Sequence, residues 1–193
     1  TNGLIIVSLI FFALAIYFGR MRGLTSIIGL VFSVFILFYG IIPRIIHGAD
    51  PFWTCLIGAC AIMLVSLYLS HGFNRRTSIA LVSTFLSLGL AVLIDLLFVH
   101  IAHLSGNGAE EAFYLQFSTF TIDLRGLLLG GILIGVLGVL DDVTTGQVAA
   151  IEEIHDANPT LGFAQLYRKG ISVGREHIAS LVNTLALAYT GAS

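Results

Sequence analysis

Residues 126–150 read GLLLGGILIGVLGVLDDVTTGQVAA, and this stretch decides the fold class. A helix needs about 20 consecutive apolar residues to cross the hydrocarbon core of a bilayer. The stretch meets this length, and its first acidic residues are Asp141 and Asp142. It therefore predicts a transmembrane helix that carries an Asp-Asp pair in its interior.

The composition of the whole chain supports the same conclusion. Of its 193 residues, 57% are hydrophobic and 10% are charged, whereas a soluble domain has about 25% charged residues. A small domain cannot bury so much apolar surface in a core of its own, so the excess is predicted to face lipid. The net charge of -2 provides no basic stripe for a phosphate backbone, which excludes nucleic acid as a partner.

Six apolar stretches are long enough to span a membrane. Between the last two, a turn at Asn158-Pro159 precedes an amphipathic piece at residues 161–167, which is predicted to lie on the membrane surface. The chain is thus predicted to be an all-α, polytopic transmembrane helical bundle in one domain, residues 1–193, with a short amphipathic cytoplasmic segment before the last span. The predicted spans are residues 3–19, 24–42, 51–70, 78–101, 124–150 and 170–189.

Lysine and arginine in the short loops predict the orientation, because positively charged loops stay in the cytoplasm. Seven of these residues follow the first, third and fifth spans, and only two lie in the other loops. Both ends of the segment are therefore predicted outside a bacterial cytoplasmic membrane. The seven are Arg20, Arg22, Arg75, Arg76, Arg168, Lys169 and Arg175, and the two are Arg44 and Arg125.

Glycines surround the Asp-Asp pair with helical spacing. Gly131, Gly135, Gly138, Asp142 and Thr145 follow a 4-3-4-3 pattern and share one face of the helix. Small residues on such a face allow a neighbouring helix, of this chain or of another subunit, to approach closely. Asp142 is therefore predicted to point into the bundle, with Asp141 about 100° further round the helix.

A buried Asp in a membrane costs about 2.5–3.5 kcal/mol on insertion scales, and two adjacent carboxyls cannot both ionise cheaply. The pair is predicted to titrate as one coupled unit. Proton handling, cation binding and a purely structural polar network are all open interpretations.

The last predicted span offers partners for this pair. Asn183 and Thr184 are predicted to lie at the depth of the carboxyls and to hydrogen-bond to them. Near the inner surface, Arg175 is a candidate counter-charge for acidic residues, namely Glu176, Glu152 and Glu153.

Two further groups are weaker candidates. Asp95 shares a face with small residues of the fourth span and is predicted to point inward, either to extend a polar route or to bond a neighbouring helix. His100 and His103 lie one turn apart at the outer end of that span, with Glu110 and Glu111 in the following loop, as weak metal candidates. No nucleophile-base arrangement, phosphate loop or zinc spacing occurs, so neither an enzyme nor a cofactor is expected.

Three motifs give the chain a family resemblance. They are GVLDDV at residues 138–143, GREHI at residues 174–178 and NTLALAYTGA at residues 183–192. The chain resembles the YibE/F family of bacterial membrane proteins over nearly its whole length. The resemblance implies further hydrophobic helices beyond this segment and brings an architecture without an assigned activity.

The Asp-Asp helix also resembles the proton-relay helices of RND-type exporters and of the SecDF translocation helpers. This similarity implies a proton-coupled transporter or export-helper component. A non-transporting scaffold that docks other membrane subunits, with structural carboxyls, and a metal-ion transporter are the alternatives. The sequence names no substrate.

Overall fold

The computed structural model describes residues 2–106 and 122–191, except the side chains of residues 2, 22 and 188–191. Within these ranges the chain forms helices and no strand, which confirms the all-α prediction. The elements are α1 (Asn2–Phe35), a π-helical segment (Ile36–Ile41), α2 (Ile42–Ile46), α3 (Pro51–His71), α4 (Arg75–Ile101), α5 (Leu124–Ala157) and α6 (Phe163–Gly191).

Five helical stretches of the described chain are long and apolar enough to cross a membrane. They are Gly3–Met21, Gly23–Ile46, Pro51–His71, Arg75–Ile101 and Leu124–Ala157. Each contains or closely matches one of the first five predicted spans. The chain is therefore a helical membrane protein with about six spans.

The first two spans are joined by a sharp break within α1. Arg20 adopts φ 49° and ψ -131°, which is far from helical geometry. A Cβ on Gly23 would meet the carbonyl oxygen of Ala15, so only glycine allows this close approach after the turn. The helix continues from Gly23 as the second span.

The second span changes its winding before Pro43. Proline has no N–H and disturbs the preceding turn of a helix, and here residues Ile36–Ile41 adopt π-helical geometry. The N–H of Ile42 donates to the carbonyl of Leu37, five residues back. The segment places Ile41 and Ile45 in the interior.

Helix α3 is the centre of the packing. Small residues let its neighbours approach: Gly29 lies against Ser66 and Ser70, and Gly58 lies against Ile41. Cys55 packs against Gly130 of α5, and its cluster with Ile41 and Ile45 is extended by apolar side chains of α5. The buried residues of α3 are Pro51, Cys55, Gly58, Ala59, Met63 and Leu67.

Side-chain caps fix the starts of α3 and α4. Asp50 accepts a hydrogen bond from the N–H of Trp53 at 3.0 Å, and Asn74 accepts one from the N–H of Thr77 at 2.8 Å. Both caps satisfy an N–H that the first turn of a helix leaves unbonded. Gly72, at φ 76°, ends α3 two residues before the second cap.

The chain divides into two compact units, residues 1–141 and 142–193. In the second unit, the predicted turn at Asn158-Pro159 is confirmed, and the Asn158 carboxamide accepts from the Thr160 hydroxyl at 2.6 Å. The predicted amphipathic piece and the last predicted span form one continuous helix, Phe163–Gly191. This helix is amphipathic and is not among the five apolar stretches, so its crossing of the membrane stays a prediction.

Candidate functional site

Helix α5 buries a different face from the one that its glycines predict. Gly131, Gly135 and Gly138 are exposed, and a Cβ at any of them would meet no atom within 4 Å. The buried face instead carries Gly126, Leu129, Gly130, Leu133 and Leu137. The close helix contact predicted for the glycine face is therefore not made within the described residues of this chain, and a contact with another subunit stays a prediction. The physical reason is that Gly126 and Gly130 provide the close approach to α3, while the large residues between them fill the space.

Because α5 buries this face, Asp141 is the more buried of the two aspartates, and not Asp142 as predicted. Asp141 continues the buried face one turn after Leu137; its side chain is half-buried, and its Oδ1 atom is fully buried. Asp142 is exposed, so the prediction that it points into the bundle is wrong. Adjacent helical residues point about 100° apart, and only one of the two can follow the buried face.

The threonines that were predicted to bond the Asp-Asp pair donate to backbone carbonyls of their own helices. The Thr184 hydroxyl donates to the carbonyl of Ser180 at 3.0 Å, and Asn183 is exposed. The Thr145 hydroxyl donates to the carbonyl of Asp142 at 3.3 Å. Serine and threonine on helices commonly bond back to a carbonyl three or four residues earlier. The Thr184 hydroxyl is thus bonded within its own helix, and its predicted bond to the carboxyls stays a prediction.

Within the second unit, Gln147 connects two helices through a contact that was not predicted from the sequence. Gln147 donates from Nε2 to the carbonyl of Gly170 at 2.6 Å, and its carboxamide also lies against Gly174. Gly146 lies 3.4 Å from the ring of His177, measured from a Cβ position. The spacing of Gly170 and Gly174 is the signal that predicts such a close helix contact.

The predicted charge partners lie on the outside of the second unit. Arg175, Glu176, Glu152 and Glu153 are all exposed. Exposed ion pairs contribute little to stability. Their role as counter-charges stays a prediction.

Asp95 is the most deeply buried acidic side chain of the described residues, with 7% of its surface exposed. It lies on the inward face of α4, as predicted, together with Thr84, Leu88 and Val99. Its Oδ2 atom is buried and has no hydrogen-bond partner in the described part of the chain. Buried polar atoms are nearly always bonded, so this atom requires an explanation.

The two buried carboxyl groups lie at different positions along their helices. Asp95 precedes the end of α4 at Ile101 by six residues, or about 9 Å. Asp141 follows the start of α5 at Leu124 by 17 residues, or about 26 Å. Since these two helix ends flank the same connecting segment, Asp95 lies near the end of α4 on that side, whereas Asp141 lies near the middle of the 34-residue helix α5.

His100 and His103 lie beside a cavity of about 430 Å³. Their ring centroids are 6.4 Å apart, and Arg125 also lines the cavity. No group of three or more His, Cys, Asp or Glu side chains that could hold a metal occurs in the described residues. Glu110 and Glu111, the acidic neighbours in the sequence, lie outside the described ranges.

The comparisons with known proteins give one assignment. No curated protein and no solved structure matches the chain. A family model described as YibE/F-like protein matches residues 7–193. Because the match covers nearly the whole chain, including both buried aspartates and the helices that carry them, this membrane protein belongs to the YibE/F-like family.

Proposed function

We propose that this chain is a proton-coupled component of a membrane transporter or export system, and not an enzyme. The observation that carries the proposal is Asp95, a carboxyl that is 7% exposed in a membrane-spanning helix and has an Oδ2 atom without a hydrogen-bond partner in the described residues. An ionised carboxylate without a partner is very costly in an apolar environment. Asp95 is therefore suited to hold a proton.

Asp141 supports the proposal from a position near the middle of α5. Its Oδ1 atom is buried on the inward face of α5. Ionisable residues inside membrane spans are rare and commonly mark ion or proton pathways. Two carboxyls at different depths suit stepwise proton transfer through water or a moving helix, because about 16 Å along the helix axes is too far for a direct hydrogen bond.

The two carboxyls proposed to hold protons are not the adjacent pair that the sequence predicted. The sequence predicted a shared proton on a buried Asp141-Asp142 pair, whereas Asp142 is exposed. We assign the two proton-holding positions to Asp95 and Asp141. Asp142 then serves as a matched control, since it is adjacent to Asp141 and has the same side chain.

The test is pH-titrated infrared difference spectroscopy of the protonated-carboxyl band in reconstituted protein. We expect a band that changes with pH in the wild-type chain, loses one component in Asp95→Asn and another in Asp141→Asn, and is unchanged in Asp142→Asn. A pH-driven proton-flux assay in liposomes should then lose activity in the first two variants only. A band that is unchanged in both Asp95→Asn and Asp141→Asn would contradict the proposal.

A second candidate function, a scaffold that docks other membrane subunits, is favoured by the exposed glycine face of α5. Gly131, Gly135 and Gly138 leave a smooth strip with no atom close enough to touch a Cβ. Such strips are typical of helix-helix contacts in membranes. If the chain is a scaffold, the Asp95→Asn variant should fold and retain function. If it is a proton-coupled component, the same variant should fold and lose function.

A further inference from the structure

The cavity beside the last turn of α4 has a consistent chemical character. Its lining combines cationic or hydrogen-bonding side chains with a larger apolar wall, and none of the described lining residues is acidic. Its volume of about 430 Å³ lies within the roughly 300–1,000 Å³ that is usual for small-molecule sites. The lining residues are Val99, His100, His103, Leu104, Ser105 and Arg125.

The fold brings Arg125 to this cavity across a long separation in sequence. Gly106, at φ 81°, lies so close to the carbonyl of Leu124 that a Cβ would overlap it. The chain after α4 thus rests on the first residue of α5, and Arg125 follows directly. The nearby carboxylate of Asp123 accepts from the backbone N–H of Arg125 at 3.1 Å, so it is engaged in the start of α5.

These residues favour an anion over a metal ion. Arginine presents five N–H donors in a fork that matches phosphate geometry and keeps its charge at every physiological pH. The histidine rings and the Ser105 hydroxyl add further donors. A permanent positive charge in the same cavity opposes a cation, and the described residues supply no third metal ligand to His100 and His103.

His103 occupies a backbone position where glycine is normally preferred. Its φ is 49°, and the bonds from Leu104 N–H to the Val99 carbonyl and from His103 N–H to the His100 carbonyl form a Schellman motif. A side chain in this conformation is unfavourable compared with glycine. The motif fixes the backbone at the position where the imidazole of His103 lines the cavity.

We propose that this cavity binds a phosphate group through Arg125, His100, His103 and Ser105. The cavity lies where two membrane-spanning helices end, so the phosphate belongs either to a free anion or to the headgroup of an anionic lipid. The site is independent of the proton-holding role proposed for Asp95 and Asp141.

The test uses the full chain in a neutral detergent. Inorganic phosphate is titrated in one arm and short-chain phosphatidic acid in the other, with the matching diacylglycerol as the phosphate-free reference. Binding is measured by thermal stabilisation and by phosphorus-31 NMR. We expect saturable binding of phosphate or phosphatidic acid and none of diacylglycerol. Saturation by inorganic phosphate identifies a free anion, and saturation by phosphatidic acid alone identifies a lipid.

Variants assign the binding to this cavity. Arg125→Gln should weaken the affinity about 10-fold or more, as expected for the loss of hydrogen bonds to a charged group. His103→Gly should also weaken it without lowering the unfolding midpoint of the ligand-free protein, because glycine suits the Schellman position. Arg44→Gln is the matched control, because Arg44 is exposed and is the other arginine on the same predicted side of the membrane.

Three results would overturn the proposal. The first is the absence of saturable binding in both arms. The second is an equal loss of affinity in Arg44→Gln and Arg125→Gln, which indicates general charge attraction. The third is saturable Zn²⁺ binding that is lost in His100→Ala and strengthened in Arg125→Gln, which indicates a metal site.

Discussion

At the residue scale, the buried carboxyl of Asp95 stabilises the fold less than an apolar side chain at the same position would. Its neighbours on the buried face of α4 are mostly apolar or have satisfied hydroxyls, such as Thr84, which donates to the carbonyl of Ala80 at 2.9 Å. An apolar side chain of similar size would fill the same space without a buried polar atom. The presence of a carboxyl therefore favours a functional role over a structural one.

Because the Oδ2 atom of Asp95 has no hydrogen-bond partner in the described residues, we predict that Asp95→Leu stabilises the protein. Removing an unsatisfied buried polar group should raise the free energy of unfolding by about 1–3 kcal/mol. Thermal unfolding in detergent measures the effect. Thr84→Val, which removes a satisfied buried hydroxyl, should give no such gain. A clear loss of stability in Asp95→Leu would indicate that the carboxyl has a structural partner.

At the element scale, the two glycine sets of α5 have different roles. Gly130 lies against α3, and a Cβ there would be 2.6 Å from the Cys55 Sγ atom. Gly135 has open space around it in the described chain. Small residues therefore serve close packing on one face and leave an uncovered strip on the other.

Matched alanine substitutions should separate these roles. Gly130→Ala should lower the free energy of unfolding by about 1–3 kcal/mol, because the added methyl overpacks the contact with Cys55. Gly135→Ala should leave it unchanged or raise it by up to about 1 kcal/mol, since alanine favours the helix. Thermal unfolding of the monomeric chain in detergent compares the two. Equal destabilisation by both variants would contradict the assignment of the buried face.

At the scale of the whole molecule, the orientation in the membrane is predicted by loop charges alone. Seven of the nine Lys and Arg residues fall on one predicted side. Ser105 and Phe73 lie in loops at opposite ends of α4 and are both exposed. They are therefore suitable reporter positions.

Cysteine labelling tests this orientation in a background without Cys55 and Cys60. A membrane-impermeant maleimide should label Ser105→Cys in intact cells and Phe73→Cys only after permeabilisation. The opposite pattern would show that the positive-inside rule fails here. A reporter placed after Gly191 should be accessible from outside if α6 crosses the membrane, and from inside if it lies on the surface.

The sequence by itself determined that this is a helical membrane protein, because composition and the length of apolar runs decide this class without any tertiary contact. Five spans, the turn at Asn158-Pro159 and the inward position of Asp95 follow from runs, turn residues and helical spacing. Each depends on a few neighbouring residues and on the thickness of a bilayer. The resemblance to the YibE/F family was likewise readable from three short motifs and is confirmed over residues 7–193.

Only the tertiary structure decided which face of α5 is buried and which groups meet. Gly126-Gly130 and Gly131-Gly135-Gly138 have equally good helical spacing, and the choice between them depends on the surface that α3 presents. That choice buries the Oδ1 atom of Asp141 and exposes Asp142. The approach of Arg125 to His100 and His103 likewise depends on the contact between Gly106 and Leu124. Helix rotation and contacts between residues far apart in sequence are set by packing between elements, which the spacing within one element does not specify.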